Sequence, residues 1–163
     1  MLSQTMQAAL NEQINNEYYS AYLYLSMSAY FEALNLPGSA KWMRAQYEEE
    51  RLHALKLFDY VNDRDGRVAL KQIAAPKTEW NSPLAAWENV LEHERGVTAS
   101  VHNLYALAVK ENDYATQTML TWFITEQVEE EKNANLMVER MRQAGTQPAT
   151  MLLFDGHFTK RGE

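Results

Sequence analysis

Apolar residues recur at intervals of three and four along four long stretches of the chain, which is the periodicity of amphipathic helices. Prolines and glycines mark where these stretches begin and end. Segments with the alternation typical of strands are nearly absent, so the pattern predicts an all-α protein. We expect helices over about residues 5–34, 39–64, 83–111 and 114–144, and a short fifth helix over about 148–158.

The connections between the helices predict the topology. The breaks at 35–38, where Pro37 ends the first helix, and at 112–113 are short, so each joins two antiparallel helices. The connection over about residues 66–81 can run the length of the bundle, because an extended residue spans roughly 3.3–3.6 Å. The sequence therefore predicts one domain over residues 1–163, a four-helix bundle of two hairpins joined by a long crossover.

The expected core is one stripe of residues on each helix. The stripes are Leu10, Ile14, Glu17, Ala21, Tyr24, Ser28 and Phe31; Ala40, Met43, Tyr47, Glu50, Ala54, Leu57 and Val61; Trp87, Val90, Glu94, Val97, Val101, Leu104 and Ala108; and Leu120, Phe123, Gln127, Glu130, Ala134, Met137 and Met141. Gly96, inside the third helix, costs about 1 kcal/mol relative to alanine. We expect close packing to be the reason for it.

A carboxylate interrupts each stripe near the middle of its helix: Glu17, Glu50, Glu94 and Glu130. Glu17 precedes Glu50 by 33 residues, the interval that also separates Glu94 from Gln127, so the two hairpins resemble each other. A buried ionised carboxylate is costly unless it is paired or bound to a cation. Four converging carboxylates therefore predict a metal site in the core.

The second helix adds a histidine to this set. His53 lies one turn after Glu50, and Glu-x-x-His is the spacing of di-iron and di-manganese carboxylate bundles. His53 alone would be read as an ordinary hydrogen-bonded residue, but its register with the carboxylates makes it a ligand candidate. Because oxygen ligands dominate and sulfur is lacking, iron and manganese suit the site better than copper or structural zinc. Calcium would not favour the histidine.

Other polar residues surround this centre. In the acidic triplets 48–50 and 129–131, neighbouring positions differ by about 100°, so only Glu50 and Glu130 point inward and Glu48 and Glu131 are solvated. Three acidic residues take intermediate positions: Glu49, Glu126 and Glu129.

Tyr24 would need a hydrogen-bond partner when buried, and a ligand carboxylate would serve. Two histidines are expected at the surface: His93 and His102.

Composition narrows the function classes. The chain has no cysteine, which excludes disulfides, thiolate zinc sites and cysteine-held iron–sulfur clusters and fits a reducing cytoplasm. Its net charge of −7 and lack of a basic block argue against nucleic-acid binding. The first five residues lack a leader pattern, and no apolar run is long enough to cross a bilayer, so we expect a cytoplasmic protein without a membrane partner.

With these residues in place, the chain resembles the bacterial non-haem ferritins over essentially its whole length. The resemblance implies a ferritin-like four-helix bundle with a short C-terminal helix. The matching residues are Glu17, Glu50-Arg51-Leu52-His53, Glu94 and Gln127-Val128-Glu129-Glu130, with Asn11-Glu12-Gln13, Tyr24, Leu57-Phe58-Asp59-Tyr60, Trp122 and the short fifth helix.

The resemblance also implies roles for individual residues. Two iron ions would share the bridging Glu50, with Glu17 and His53 on the first ion and Glu94 and Glu130 on the second. A third iron site would use Glu49, Glu126, Glu129 and Glu130. Gln127 would lie beside the dioxygen site, and Tyr24 would hydrogen-bond a ligand and donate an electron, with Trp122 nearby.

Two features separate the chain from other ferritins. Bacterioferritins carry a haem-binding methionine where this chain has Arg51, so haem is not expected. The acidic threefold channel of animal ferritins would lie near Thr116, Gln117 and Leu120, where no acidic ring is apparent, so the route of iron into the protein stays open.

The function implied by the resemblance is iron storage with ferroxidase activity. Paired Fe(II) ions would be oxidised by dioxygen or peroxide, and the ferric product would be stored as mineral inside a homo-oligomeric cage of 24 subunits. One alternative is a discrete di-metal carboxylate oxidase or manganese catalase without storage. A second alternative is a structural helical module whose carboxylates are merely solvated.

Overall fold

A computed structural model describes residues 1–160 and shows helices without a strand in that part of the chain. The elements are α1 (Gln4–Ala33), α2 (Pro37–Asp63), α3 (Pro83–Lys110), α4 (Tyr114–Ala144), α5 (Pro148–Gly156) and a 3-10 turn over His157–Lys160. The predicted bundle of two hairpins, a crossover and a short fifth helix is confirmed. Within residues 1–160, none of the helices combines the length and apolar character needed to cross a membrane.

Polar side chains define where the helices begin. Ser82 Oγ accepts a hydrogen bond from Ala85 N at 3.0 Å, and Asp113 Oδ1 accepts one from Thr116 N at 3.1 Å, so these two side chains cap α3 and α4. The assignment of Pro37 to the break was wrong, because α2 begins at that residue. Proline suits the first helical position, where the missing N–H group has no helical partner.

The fifth helix is anchored on the start of α2. It ends at Gly156, two residues before the predicted end at Phe158, and continues as the 3-10 turn. The Asp155 carboxylate accepts hydrogen bonds from Gly38 N at 2.8 Å and Ser39 N at 2.7 Å. A carboxylate from α5 therefore caps α2, whose N-cap residue makes no side-chain cap of its own.

The crossover between α2 and α3 runs along α1, as its length predicted. At one end Arg67 N donates to Gln7 Oε1 at 2.8 Å, and at the other Tyr30 Oη donates to the carbonyl of Trp80 at 3.2 Å. The segment thus follows α1 over most of that helix and brings the two hairpins into one bundle.

The buried residues form two apolar clusters with a polar layer between them. One cluster surrounds Trp87 and Phe31, and the other surrounds Leu10 and Leu120. On each long helix, the interrupting carboxylate lies in sequence between residues of the two clusters. The predicted stripes are buried except for Tyr47, which is half-buried.

The expectation that Gly96 allows close packing was wrong. A Cβ atom built on Gly96 would meet nothing within 4 Å. The residue instead lines a depression of about 200 Å³ between α1 and α3, so a side chain would have space there.

Candidate metal centre

Three of the predicted ligands come together in the polar layer. Glu17 on α1 and Glu50 and His53 on α2 each place one ligating atom within 4.8 Å of the other two, and all three side chains are buried. His53 Nδ1 lies 3.1 Å from Glu50 Oε2, as residues one helical turn apart allow. Two carboxylates and an imidazole in this arrangement can hold a divalent cation.

One oxygen of this group is unsatisfied. Glu17 is 1% exposed, and its Oε1 accepts a hydrogen bond from Gln13 Nε2 at 2.7 Å. Within residues 1–160, the buried Glu17 Oε2 has no hydrogen-bond partner. Burial raises the pKa of Glu17 above its usual value, although the hydrogen bond from Gln13, the charge of His53 and a hydrogen bond that a protonated Glu50 can donate oppose this. When both carboxyl groups are ionised, neither can donate to the other. A buried acceptor without a partner is costly, and a bound cation would remove that cost.

Glu50 is surrounded by other carboxylates. Its pKa lies well above the usual value, first because of burial and then because of the negative charges of Glu17, Glu94 and Glu130. The four carboxylates are therefore close enough to disfavour one another's ionisation. A cation among them would reverse this effect and favour the ionised forms.

Glu94 is held by hydrogen bonds on both oxygens. The Tyr24 hydroxyl donates to Oε1, and Gln127 Nε2 donates to Oε2 at 3.2 Å. Burial raises the pKa of Glu94 to about 7, and these two hydrogen bonds limit the rise. Burial and the charge of Glu94 also raise the pKa of Tyr24 well above its usual value, so the phenol is a neutral donor at physiological pH. The predicted pairing of Tyr24 with a carboxylate is confirmed.

The roles of two buried glutamines near the centre were not predicted from the sequence. Gln13 donates to Glu17, and Gln46 Nε2 donates to Glu130 Oε2 at 3.0 Å. Glu130 itself is 4% exposed, consistent with its predicted inward position. The available signal was the spacing, since each glutamine lies four residues before a predicted ligand, at Glu17 or Glu50.

The accessory acidic residues lie outside the buried layer. Glu49 and Glu126 are half-buried, and both line a depression of about 580 Å³ together with His53 and Trp122. Glu129 is exposed. The Trp122 ring centroid is 5.3 Å from that of His53, which confirms that this tryptophan lies nearby.

The expectation that His93 lies at the surface was wrong. His93 is half-buried, with Nε2 2.7 Å from Ser20 Oγ and its ring against Tyr24, and burial lowers its pKa to about 4. Thr116 and Leu120, near which the channel of animal ferritins would lie, are fully buried inside the bundle, and Gln117 is half-buried. A threonine hydroxyl can be buried where it finds partners, and Thr116 bonds with Asp113. His102 is exposed, as expected.

Comparisons with known proteins agree with this geometry. The family described as "Ferritin-like domain" matches residues 7–144. A bacterial non-heme ferritin of Staphylococcus epidermidis is 40% identical over 161 residues, covering 99% of this chain and 97% of that protein. One of Bacteroides fragilis is 44% identical over 145 residues, covering 89% of this chain and 91% of that protein.

Solved structures give the same result. A structure described as a novel open pore ferritin from Archaeoglobus fulgidus superposes with a TM-score of 0.98 at 48% identity, covering 99% of both chains. A closed form of that ferritin, engineered by site-directed mutagenesis, superposes with a TM-score of 0.97. The similarity therefore extends over the whole length of the chain.

Proposed function

The chain belongs to the ferritin family, and from this premise we propose that it stores iron after oxidising Fe(II) to Fe(III) at a paired site inside each subunit. The observation that carries the proposal is the buried trio of Glu17, Glu50 and His53, in which Glu17 Oε2 lacks a hydrogen-bond partner within residues 1–160. A divalent cation supplies the missing interaction. Oxygen and imidazole donors without sulfur suit iron.

The proposed ligands divide between two ions. Glu17 and His53 bind the first ion, Glu94 and Glu130 bind the second, and Glu50 bridges them. The bridging role is supported by the pKa of Glu50, which responds to the charges of the carboxylates on both sides. The trio is already assembled, whereas Tyr24 and Gln127 occupy the oxygens of Glu94. We therefore propose that the first ion binds before the second.

The reaction needs two electrons. Each Fe(II) ion gives up one electron, and dioxygen accepts both with two protons to form hydrogen peroxide. With peroxide as the oxidant, two electrons and two protons give two water molecules. The carboxylates favour the product, because negative ligands stabilise the higher charge of Fe(III). Tyr24 and Gln127 stay as neutral donors that orient Glu94.

A third iron site is proposed on the exposed side of the centre. Glu49 and Glu126 line the depression that also reaches His53 and Trp122, and Glu129 lies on the same face of α4 as Glu126. Partly exposed carboxylates bind and release a cation more readily than buried ones, since they lose less hydration. We assign this site to iron that passes between the paired site and the stored mineral.

Storage requires a shell of subunits, which we propose to be a homo-oligomeric cage of 24 copies. A single bundle encloses no space for a mineral. The similarity to the Archaeoglobus fulgidus ferritins covers 99% of this chain, including α5. Closed symmetric assembly is the usual way for identical chains to form a shell.

The test is size-exclusion chromatography with light scattering, before and after Fe(II) is added in air. We expect a particle of several hundred kilodaltons that keeps its radius, gains mass and holds ferric iron in solution. A small oligomer that oxidises iron but precipitates it would favour the discrete di-metal oxidase. A protein that binds no Fe(II) stoichiometrically would favour the structural module.

A further inference from the structure

Two buried glutamines stand one helical turn before two of the proposed ligands. Gln13 precedes Glu17 and Gln46 precedes Glu50, each by four residues, and their side chains are 2% and 0% exposed. We propose that these amides are positioning residues, with Gln13 orienting Glu17 at the first site and Gln46 orienting Glu130 at the second. The inference rests on the function proposed above.

Gln13 determines which oxygen of Glu17 faces the other ligands. Its Nε2 atom donates to Glu17 Oε1 at 2.7 Å. This oxygen therefore already has a hydrogen-bond partner on α1. The second oxygen, Oε2, stays buried and has no hydrogen-bond partner among residues 1–160. A carboxylate held by one oxygen can present the other to a cation, which is how partners around a metal site orient its ligands.

Ser100 fixes the orientation of the Gln13 amide. Ser100 Oγ on α3 donates to Gln13 Oε1 at 2.5 Å, and Asn16 Nδ2 lies 3.4 Å from the same oxygen. The Ser100 donor requires the carbonyl oxygen of the amide to face α3, and Asn16 on α1 contacts the same oxygen. The NH₂ group must then face Glu17, because the two ends of an amide are opposite. Ser100 therefore acts on Glu17 through Gln13.

Gln46 makes the equivalent contact at the other site, but across helices. It extends from α2 and donates to Glu130 Oε2 on α4 at 3.0 Å. Since Glu50 lies one turn further along α2, the helix that carries the proposed bridge also orients a ligand of the second ion. Each glutamine thus serves one site.

An amide suits this task better than a cationic side chain. Lysine or arginine would hold a carboxylate firmly, but its positive charge would repel a second cation nearby. A neutral amide donor orients the carboxylate and leaves its negative charge available for metal. Replacing such an outer partner typically lowers metal affinity by about 10- to 100-fold.

The experiment is a calorimetric titration of the assembled, metal-free protein with Zn(II), which binds without redox chemistry. His53→Ala and Glu130→Ala identify the binding step that belongs to each site. Gln13→Met keeps the side-chain length and removes the donor, and should weaken the His53-dependent step about 10- to 100-fold while leaving the other step unchanged. Gln46→Met should do the reverse.

Ser100→Ala gives a second test that keeps the glutamine. It should weaken the same step as Gln13→Met and add no further loss in the double variant, because Ser100 acts through Gln13. Ser28→Ala is the matched control, since this buried serine donates to the carbonyl of Ala40, outside the centre. Co(II) absorption spectra should change for the Gln13 and Ser100 variants and stay unchanged for Ser28→Ala.

The possible results distinguish a failure of the positioning roles from a failure of the paired metal site. Wild-type protein that binds Zn(II) in two steps, with glutamine variants that shift neither step or shift both equally, overturns the positioning roles alone. Wild-type protein without stoichiometric Zn(II) binding overturns the paired site and the positioning roles together.

Discussion

The Tyr24 hydroxyl on α1 donates a hydrogen bond to Glu94 Oε1 on α3, which joins two helices that come from different hairpins. The contact lies in the layer between the two apolar clusters, where both side chains are fully buried. It lowers the pKa of Glu94, which burial alone would raise further. Tyr24 therefore helps to keep Glu94 ionised near neutral pH, the form that binds a cation.

Tyr24→Phe should shift metal binding at the second site to higher pH. Without the phenolic donor, the pKa of Glu94 rises above about 7, so the carboxyl group must lose its proton at a higher pH before metal binds. Zn(II) affinity measured across pH 5.5–8.5 (a window of roughly three units around that pKa) should show this shift for the second step. An unchanged midpoint would contradict the role of Tyr24. Tyr22→Phe, on an exposed tyrosine, is the control.

Glu50→Gln should stabilise the metal-free protein near neutral pH. Folding raises the pKa of Glu50 well above 4.5, so this carboxyl group lowers stability as pH rises from about 4.5 through its folded-state pKa. The neutral amide escapes that penalty, and each kcal/mol gained raises the melting temperature by about 2–4 °C.

Thermal unfolding of the metal-free protein as a function of pH checks the direction of this effect on stability. The gain from Glu50→Gln should be present at pH 7–8, shrink toward pH 4.5 and disappear below it, where the wild-type carboxyl group is protonated in both states. Glu48→Gln, on an exposed neighbour, is the control. A gain in stability that grows as the pH falls would mean that burial does not disfavour the ionised form of Glu50.

Gly38→Ala should detach α5 from α2. The new Cβ atom would lie 1.9 Å from the Asp155 carbonyl oxygen, a backbone atom that can move only if α5 moves. Losing the cap formed by Asp155 costs about 0.5–2 kcal/mol in addition. Limited proteolysis should cut the chain near α5 faster than in wild type. Gly156→Ala is the matched control, because its Cβ atom meets nothing within 4 Å, and equal proteolysis of both variants would refute the anchor.

Glu126→Ala and Glu129→Ala should spare the first rapid oxidation but change the iron-to-oxygen ratio. Neither residue belongs to the buried trio, and both are at least partly exposed. Stopped-flow absorbance combined with an oxygen electrode measures the two quantities together. Loss of the rapid phase in either variant would show that the division between paired and accessory sites is wrong.

Helix periodicity was sufficient to predict the bundle and the inward carboxylates. Glu17, Glu50, Glu94 and Glu130 share the phase of residues that pack in the core, and burial follows from phase. The hairpins and crossover followed from connection lengths. These features depend on spacing along one helix or loop, which is visible in a sequence.

Contacts between helices could not be predicted in the same way. Gln46 and Glu130 lie 84 residues apart, and only packing brings them together. His93 was expected at the surface, yet Ser20 lies opposite on α1. In both cases the deciding neighbour came from another helix.

The most direct test of the paired iron site is stopped-flow oxidation of Fe(II) by the Glu50→Ala variant. Glu50 is the proposed bridge, so its loss removes a ligand from both ions and leaves less negative charge between two cations. The variant should fold and assemble as wild type does, lose the rapid oxidation phase, and bind the second divalent ion much more weakly. An assembled Glu50→Ala variant that oxidises Fe(II) at the wild-type rate would contradict the paired site with Glu50 as its bridge.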